Sequence, residues 1–358
     1  MHYPSFCKFL VFAVIIAGTI VPAQAEQKPD PISATVTLEL QNDWNFKSDD
    51  PAEERNDTFA TIEAAITATL APRIALKSLF VFEPVLDPGP GEDRFFEDLG
   101  LYVEEVYGTY DDGALVLRIG KFGQKFGIAW DRTPGIWGGD LADYEISEQI
   151  GIAAELRIGD RQSGTHSLTF GTFFADTTAL SDSAFASRGR LRKSDGGAGN
   201  TEDFSSFSIA VDGAEVPSLP GFAYHLGYLY RDSEGSGEHA ETGFAIGVTQ
   251  EFALAPMTLA LLLEWARLAD FKGTAQTDAE FLTTAAEMRR GPWSLVLSWT
   301  GQETRAPGTG DNDDSQTEIS LGYTFENKVK LSGGWRHLDT AGIVTETLGL
   351  FLEYEFGL

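Results

Sequence analysis

Between Gln124 and Glu145 the chain gathers residues whose chemistry is readily named. Gly127, Gly135, Gly138 and Gly139 allow sharp backbone turns, Pro134 stiffens the segment, and Trp130, Ile136 and Trp137 supply apolar anchors. A segment with such anchors can pack against a wall. Asp131, Asp140 and Asp143 would then present carboxylates to water, with Arg132 as a local partner. In a wet passage that set acts on charged and dipolar solutes through its field and makes no bonds. The alternative placement is an external loop whose aromatic residues cap a rim.

A second set appears when alternate residues of the β-rich segments are assigned to one face. Lys77, Arg118, Arg157, Arg231, Lys330 and Arg336 fall on it together with Glu39, Glu63, Glu155, Glu251, Glu264, Glu353 and Glu355. Acid opposed to base across a water-filled space creates a transverse field; the alternative is local neutralisation, as in Glu155 beside Arg157. Bond-making chemistry finds little support. Among His166, His225, His239 and His337 none sits in a nucleophile motif, and His225 is the one best placed inward. Gly308 to Ser315 resembles half of a calcium loop but lacks its glycine and its closing glutamate, so a solvated loop is expected. The basic run Arg188, Arg190, Arg192 and Lys193 could meet lipopolysaccharide phosphates or anionic solutes, or could simply be solvated. Neither a metal nor a cofactor is expected.

The elements that must carry these residues are strands. Sixteen β-rich segments can be drawn, at 34–44, 58–69, 73–83, 99–110, 113–123, 146–157, 165–175, 203–212, 222–232, 240–252, 256–268, 276–288, 292–301, 315–325, 328–338 and 344–358. The second and twelfth are rich enough in Ala and Glu to read as helix, and the spacing of their neighbours decides for strand. Tight turns at Ala71-Pro72, Asp111 to Gly113, Ala255-Pro256, Arg290-Gly291 and Glu326-Asn327 alternate with longer polar stretches at 45–57, 84–98, 124–145, 176–202 and 302–314. Such alternation sorts short connections to one end and long ones to the other, which favours a transmembrane barrel, since a sandwich has no reason to keep its long connections on every second hairpin. Trp293, Leu295, Leu297 and Trp299 share one face of a strand, with Ser294, Ser298 and Thr300 on the other. Two indoles bracketing an apolar row suit the two interfaces of a membrane. Tyr224, Leu226, Tyr228 and Tyr230 repeat the pattern, as do Met257, Leu259, Leu261, Leu263 and Trp265.

The ends of the chain agree. Lys8, the apolar run Phe9 to Ile16 and the small residues around Ala23 and Ala25 predict an export signal cut after Ala25, with residues 26–358 forming one all-β domain. Cys7 lies within that signal, so the exported part has no thiol for a disulfide or a cysteine-held metal. Lys8 is the signal's sole formal charge, which leaves 25 basic against 54 acidic residues and a net charge of −29. Nucleic acid is therefore excluded as a partner. No later stretch is long and apolar enough for a membrane helix, so any crossing must use strands. In the last eleven residues, Leu348, Leu350, Leu352, Tyr354, Phe356 and Leu358 face one way, and Glu353 and Glu355 face the other.

That final strand resembles the closing strand of bacterial outer-membrane barrels, with Leu358 where those usually end on Phe. The whole layout resembles the sixteen-stranded porins. Gly120-Lys121 through Phe126-Gly127 is similar to stretches in substrate-selective members. The resemblance implies a transmembrane antiparallel β-barrel in the outer membrane of a Gram-negative bacterium, surrounded by lipid and lipopolysaccharide. It implies a passive water-filled channel for small hydrophilic solutes, often trimeric, in which the third long loop, 124–145, folds inward as the constriction. The acidic balance adds an expected preference for cations. Channels selective for a siderophore, sugar or organic ion are the alternative, as is a barrel serving as adhesin or anchor.

Overall fold

The structure is a computed structural model describing residues 31–235, 237–308 and 310–358. The predicted signal 1–25 lies outside the described residues. Sixteen long strands build the molecule: β1 (Ile32–Ser48), β2 (Asn56–Ala71), β3 (Ile74–Pro84), β4 (Leu99–Asp111), β5 (Leu115–Gln124), β6 (Ile146–Asp160), β7 (Gly164–Ala175) and β8 (Ser206–Ala214), then β9 (Phe222–Arg231), β10 (Glu241–Leu254), β11 (Met257–Ala269), β12 (Asp278–Arg290), β13 (Trp293–Ala306), β14 (Gly310–Thr324), β15 (Lys330–Thr340) and β16 (Ile343–Gly357). Each pairs antiparallel with the next, and β1 pairs with β16 from Thr35↔Gly357 to Ser48↔Thr345. The sheet closes on itself, so its long strands leave no open edge.

The burial pattern is inside-out. Ile246, Leu263, Trp293, Leu295, Leu297, Leu321 and Leu350 are exposed on the outer face, Leu297 by 53%. Thr61, Thr169, Ser208, Thr283, Ser298, Thr300 and Thr347 are buried on the inner face. Apolar outside and polar inside is stable only where the outside solvent is hydrocarbon. No helix among the described residues is long and apolar enough to cross a membrane.

Local chemistry fixes the short turns. At residues 111–115, Asp111 Oδ1 accepts from Gly113 N (2.8 Å), Asp112 Oδ1 accepts from Leu115 N (2.8 Å), and Gly113 takes a φ of 93° that a Cβ would disfavour. The long connections lie at the opposite end. One differs from expectation: 302–314 is no loop, because β13 runs to Ala306 and β14 starts at Gly310. The apolar face stops where the strand leaves the membrane level, but the ladder continues through water-facing pairs such as Glu303↔Asp313. The calcium-like residues 310–315 are therefore part of a strand. Among the described residues, no group of three or more metal-ligating side chains is placed to hold an ion. Two short pieces escaped the sequence pattern: Arg94–Phe95, parallel to β2, and Ala184–Phe185, antiparallel to β4.

Candidate channel lining and inward loop

The connection from β5 to β6 runs inside the barrel, and its route can be followed bond by bond. Lys125 Nζ lies 3.0 Å from Asp212 Oδ2 on β8. Gly127 N donates to His225 Nε2 on β9 (3.0 Å), while His225 Nδ1 bonds to Asp212 Oδ1 (2.8 Å). Ile128 N donates to both oxygens of Glu264 on β11 (2.9 and 2.7 Å), and Ala129 N donates to Oε1 (2.7 Å). Tyr144 OH donates to the same carboxylate. Burial, and then the Glu264 charge, hold the Tyr144 phenol well above its usual value, so it remains a donor. A carboxylate suits this role because two oxygens can serve several orphan N–H groups at once.

A dry patch inside the wet barrel supports this first anchor. Phe126, Ala129, Ala142, Tyr144 and Ile146 pack with Phe173, Leu229, Ala245, Leu262, Leu268 and Phe281 of the wall, and Trp130 packs against the cluster while donating Nε1 to Phe126 O (3.1 Å). The wall makes room by omitting side chains. A Cβ on Gly243 would lie 2.8 Å from Phe126, and one on Gly247 would lie 2.7 Å from Ile128.

After a short helix, Ala129–Arg132, the loop crosses to a second anchor. Ile136 N and Trp137 N donate to the two oxygens of Glu318 on β14 (2.6 and 3.1 Å). Gln316 Nε2 donates to Trp137 O (2.7 Å), and Trp137 Nε1 donates to Asp43 Oδ2 on β1 (3.0 Å). Ile136 and Trp137 are fully buried against Phe351, and a Cβ on Gly349 would lie 2.3 Å from the Trp137 ring.

The predicted site residues separate into groups. Trp130 is an internal anchor, Asp131 is part-buried, and Arg132 is exposed at the end of the short helix. Asp140 and Asp143 are each tied to a cation. Asp140 Oδ2 is 3.3 Å from Arg336 on β15, whose guanidinium lies 5.0 Å from the centre of the Trp137 ring, and Asp143 Oδ2 is 2.7 Å from Lys272. On the wall, Glu155 bridges Arg118 (3.2 Å), Arg157 (2.9 Å) and Lys125 (3.6 Å), and Arg157 also reaches Asp111 (3.1 Å). Arg231 pairs with the fully buried Glu241 (2.6 Å). Glu264 is not part of the exposed lining, because the loop covers it. Lys77 is exposed on β3, within reach of the Glu105 charge.

The wall from β16 through β1 to β4 carries mainly carboxylates. Glu353 stands directly across from Glu39 in the β1–β16 register, with Lys330 at 3.7 Å, and Glu63 lies within the fields of Glu39, Glu104 and Glu353. A bulge in β4 opposite Leu79 and Phe80 inserts Glu104 beside Glu105. The loop's Glu145 joins this row. Burial first, then Glu104, Asp131, Glu148 and Glu105, push its carboxyl well above the usual range. Glu318, Asp43 and Gln316 were missed from sequence. The available signal was alternation, which sets Gln316, Glu318 and Ser320 opposite Ile319, Leu321 and Tyr323.

No protein family and no curated protein matches the sequence. Solved structures do match the fold. The outer membrane channel DcaP of Acinetobacter baumannii superposes with a TM-score of 0.59 at 12% identity, over 91% of this chain and 96% of that one. This is the fold of an outer-membrane channel. A loop-deletion mutant of OmpT, an outer membrane protein of Vibrio cholerae, gives 0.58 at 12% identity over 91% and 99% of the two chains. Pseudomonas aeruginosa OccK1 gives 0.55 at 10%, over 91% and 99%. With so little sequence in common, the likeness lies in the barrel, and the charges inside it belong to this chain.

Proposed function

We propose that the exported chain is a porin of the Gram-negative outer membrane, a passive diffusion channel for small hydrophilic solutes that favours cations. The passage lies between the inward loop 124–145, which acts as its constriction, and the carboxylate wall of β16 to β4. The observation that carries the cation preference is the row Glu353, Glu39 and Glu63, three acidic side chains brought together on the adjacent strands β16, β1 and β2. Wall charges within one Debye length, about 10 Å at 0.1 M salt, govern a permeating ion more than the net charge does. The basic residues Arg118, Arg157 and Lys125 share Glu155, Asp111 and Asp212, so that side of the lumen is close to neutral.

A hydrolytic reading is disfavoured because both nitrogens of His225 are committed, one to Asp212 and one to the Gly127 N–H. One solved form of the V. cholerae protein is a trimer, which supports a homotrimer here, embedded in lipid and lipopolysaccharide. The test is a reversal potential across a KCl gradient in a planar bilayer. Potassium preference is expected, and it should weaken when Glu39, Glu63 and Glu353 are all changed to Gln. Chloride preference in the unmodified channel, or an unchanged potential in the triple variant, refutes the reading.

A further inference from the structure

The external loop between β7 and β8 doubles back over the head of the acidic wall. Its Ala184–Phe185 piece adds to β4, with Gly100↔Phe185 and Leu101↔Ala184 in register and Ala186 N donating to Leu99 O (3.2 Å). A Cβ on Gly100 would lie 2.8 Å from Ala186 O, so glycine permits the approach. This strap delivers Arg188 into the barrel mouth. The guanidinium carbon sits 3.9 Å from the centre of the Tyr102 ring, Nη2 donates to Glu148 Oε2 (2.6 Å), and Nε donates to Ser181 O (3.0 Å). Tyr102 is held rigid among Leu79, Val81 and Val85, and its hydroxyl donates to Glu83 Oε1 (2.5 Å). Glu83 in turn lies within the fields of Arg188, Glu63 and Glu39.

We propose that Tyr102, Glu83 and Glu148 form a binding seat for guanidinium-bearing cations at the mouth of the channel, whose resting occupant is the channel's own Arg188. The seat offers what a planar, weakly hydrated cation needs: an aromatic face, an in-plane carboxylate acceptor and a second carboxylate within Coulomb reach. Potassium and simple ammonium ions lack the planar face. Exchange of occupants is feasible because Arg188 arrives on a loop and because Glu148 keeps a partner when it leaves. Lys121 Nζ is 2.7 Å from the same oxygen and 2.9 Å from Asp176. The vacated groups are the Tyr102 face and Glu83, which continue into the carboxylate row. The seat therefore rests on the cation-channel reading and names the chemical class that row would receive.

The experiment is single-channel recording of the full-length protein with guanidinium chloride added to the external side, the folded barrel being verified by heat-modifiable gel mobility. Arg188→Ala should show guanidinium-dependent current interruptions at a concentration at least about tenfold below that needed for the wild type. Adding Tyr102→Leu should weaken this block by about tenfold, the loss of one cation–π contact of ~1.4 kcal/mol. Arg188→Gln, which keeps a donor for Ser181 O, is recorded in parallel so that collapse of the loop in one variant does not decide the result. Equal guanidinium sensitivity in the wild type and both Arg188 variants overturns the seat, as does block that survives Tyr102→Leu. A reversal potential from the same recordings separates the two ideas: retained potassium preference without guanidinium block removes the seat alone, and chloride preference removes the cation-channel reading as well.

Discussion

Changing Glu318 to Ala should loosen the far end of the inward loop while leaving the near end in place. The carboxylate accepts from Ile136 N at 2.6 Å and from Trp137 N at 3.1 Å. Hydrogen bonds to a charged group contribute about 1.5–3 kcal/mol each, so the gross loss is about 3–6 kcal/mol. Lumen water can resolvate part of the freed N–H groups. The bonds from Gln316 to Trp137 O and from Trp137 Nε1 to Asp43 persist, as does the burial of Ile136 and Trp137. A net loosening of about 1–3 kcal/mol follows, which raises the undocked population by about 5–150-fold. Because Glu264 still holds Ile128 and Ala129, the loop stays tethered and the pore acquires substates instead of one wide state. Single-channel recording should show a new, larger conductance level with that increase in occupancy. Glu318→Gln leaves an oxygen for one N–H and turns an NH2 toward the other, so it should fall between Ala and wild type. A wild-type current record from folded Glu318→Ala barrels would refute both the two-anchor account and the loop's role as constriction.

Two further outcomes follow from the same geometry. Gly349→Ala places a Cβ 2.3 Å from the Trp137 ring, forcing the ring back by about 1 Å toward ordinary contact and straining its bond to Asp43; Gly333→Ala, whose new Cβ meets Leu350 at 3.6 Å, should leave the current record unchanged. Equal records from the two variants would mean that Trp137 does not set the loop's position. Glu145 is a carboxyl whose folded-state pKa is raised, so ionisation opposes folding: the penalty is absent below the unfolded value of about 4.3, grows as pH rises above it and is complete above the folded pKa. Glu145→Gln should thus raise the heat-modification temperature at pH 9 and leave it unchanged at pH 4, and a stabilisation confined to acid pH would reverse the sign of this argument.

Much of the barrel was legible because lipid and water impose a period of two that a strand cannot hide. The row Trp293, Leu295, Leu297 and Trp299 marks an apolar outer face on β13, and alternation sets Glu264 and Arg336 on the opposite face, where the structure has them meeting the loop. Alternation is silent above the membrane, where both faces of a strand meet water, and this is why 302–314 read as a loop. It is also silent about what covers an inner face. Glu264 looked like an exposed lumen charge, yet it lies under Ile128 and Ala129, and Asp140 and Asp143 looked free although Arg336 and Lys272 neutralise them. Those pairings join residues more than a hundred positions apart and depend on where the loop lands. The landing sites did leave a trace, in the inward glycines Gly243, Gly247, Gly334 and Gly349, which have the character of empty seats once the loop is in view.

A loop inside a water-filled barrel faces a difficulty that a loop on a soluble surface does not, since it must stay in one place without a neighbouring strand to accept its N–H groups. Here two inward glutamates do that work. Glu264 and Glu318 each offer two oxygens: Glu264 takes the backbone donors of Ile128 and Ala129 at the start of the four-residue helix, and Glu318 takes those of Ile136 and Trp137 in the turn beyond it. The glycine seats then admit Phe126, Ile128 and Trp137, whose burial contributes about 1.5–3 kcal/mol each. This arrangement changes how the lumen's charge must be counted. Acidic residues committed to holding the loop are withdrawn from the passage, and those bridged by Arg336, Lys272 or Arg231 contribute little field. The −29 of the exported chain is thus a poor guide to what an ion meets. In the proposed channel the field belongs to Glu353, Glu39 and Glu63, which adjoin one another on β16, β1 and β2, so substitutions there should move the reversal potential while substitutions at Glu264 or Glu318 should move the conductance.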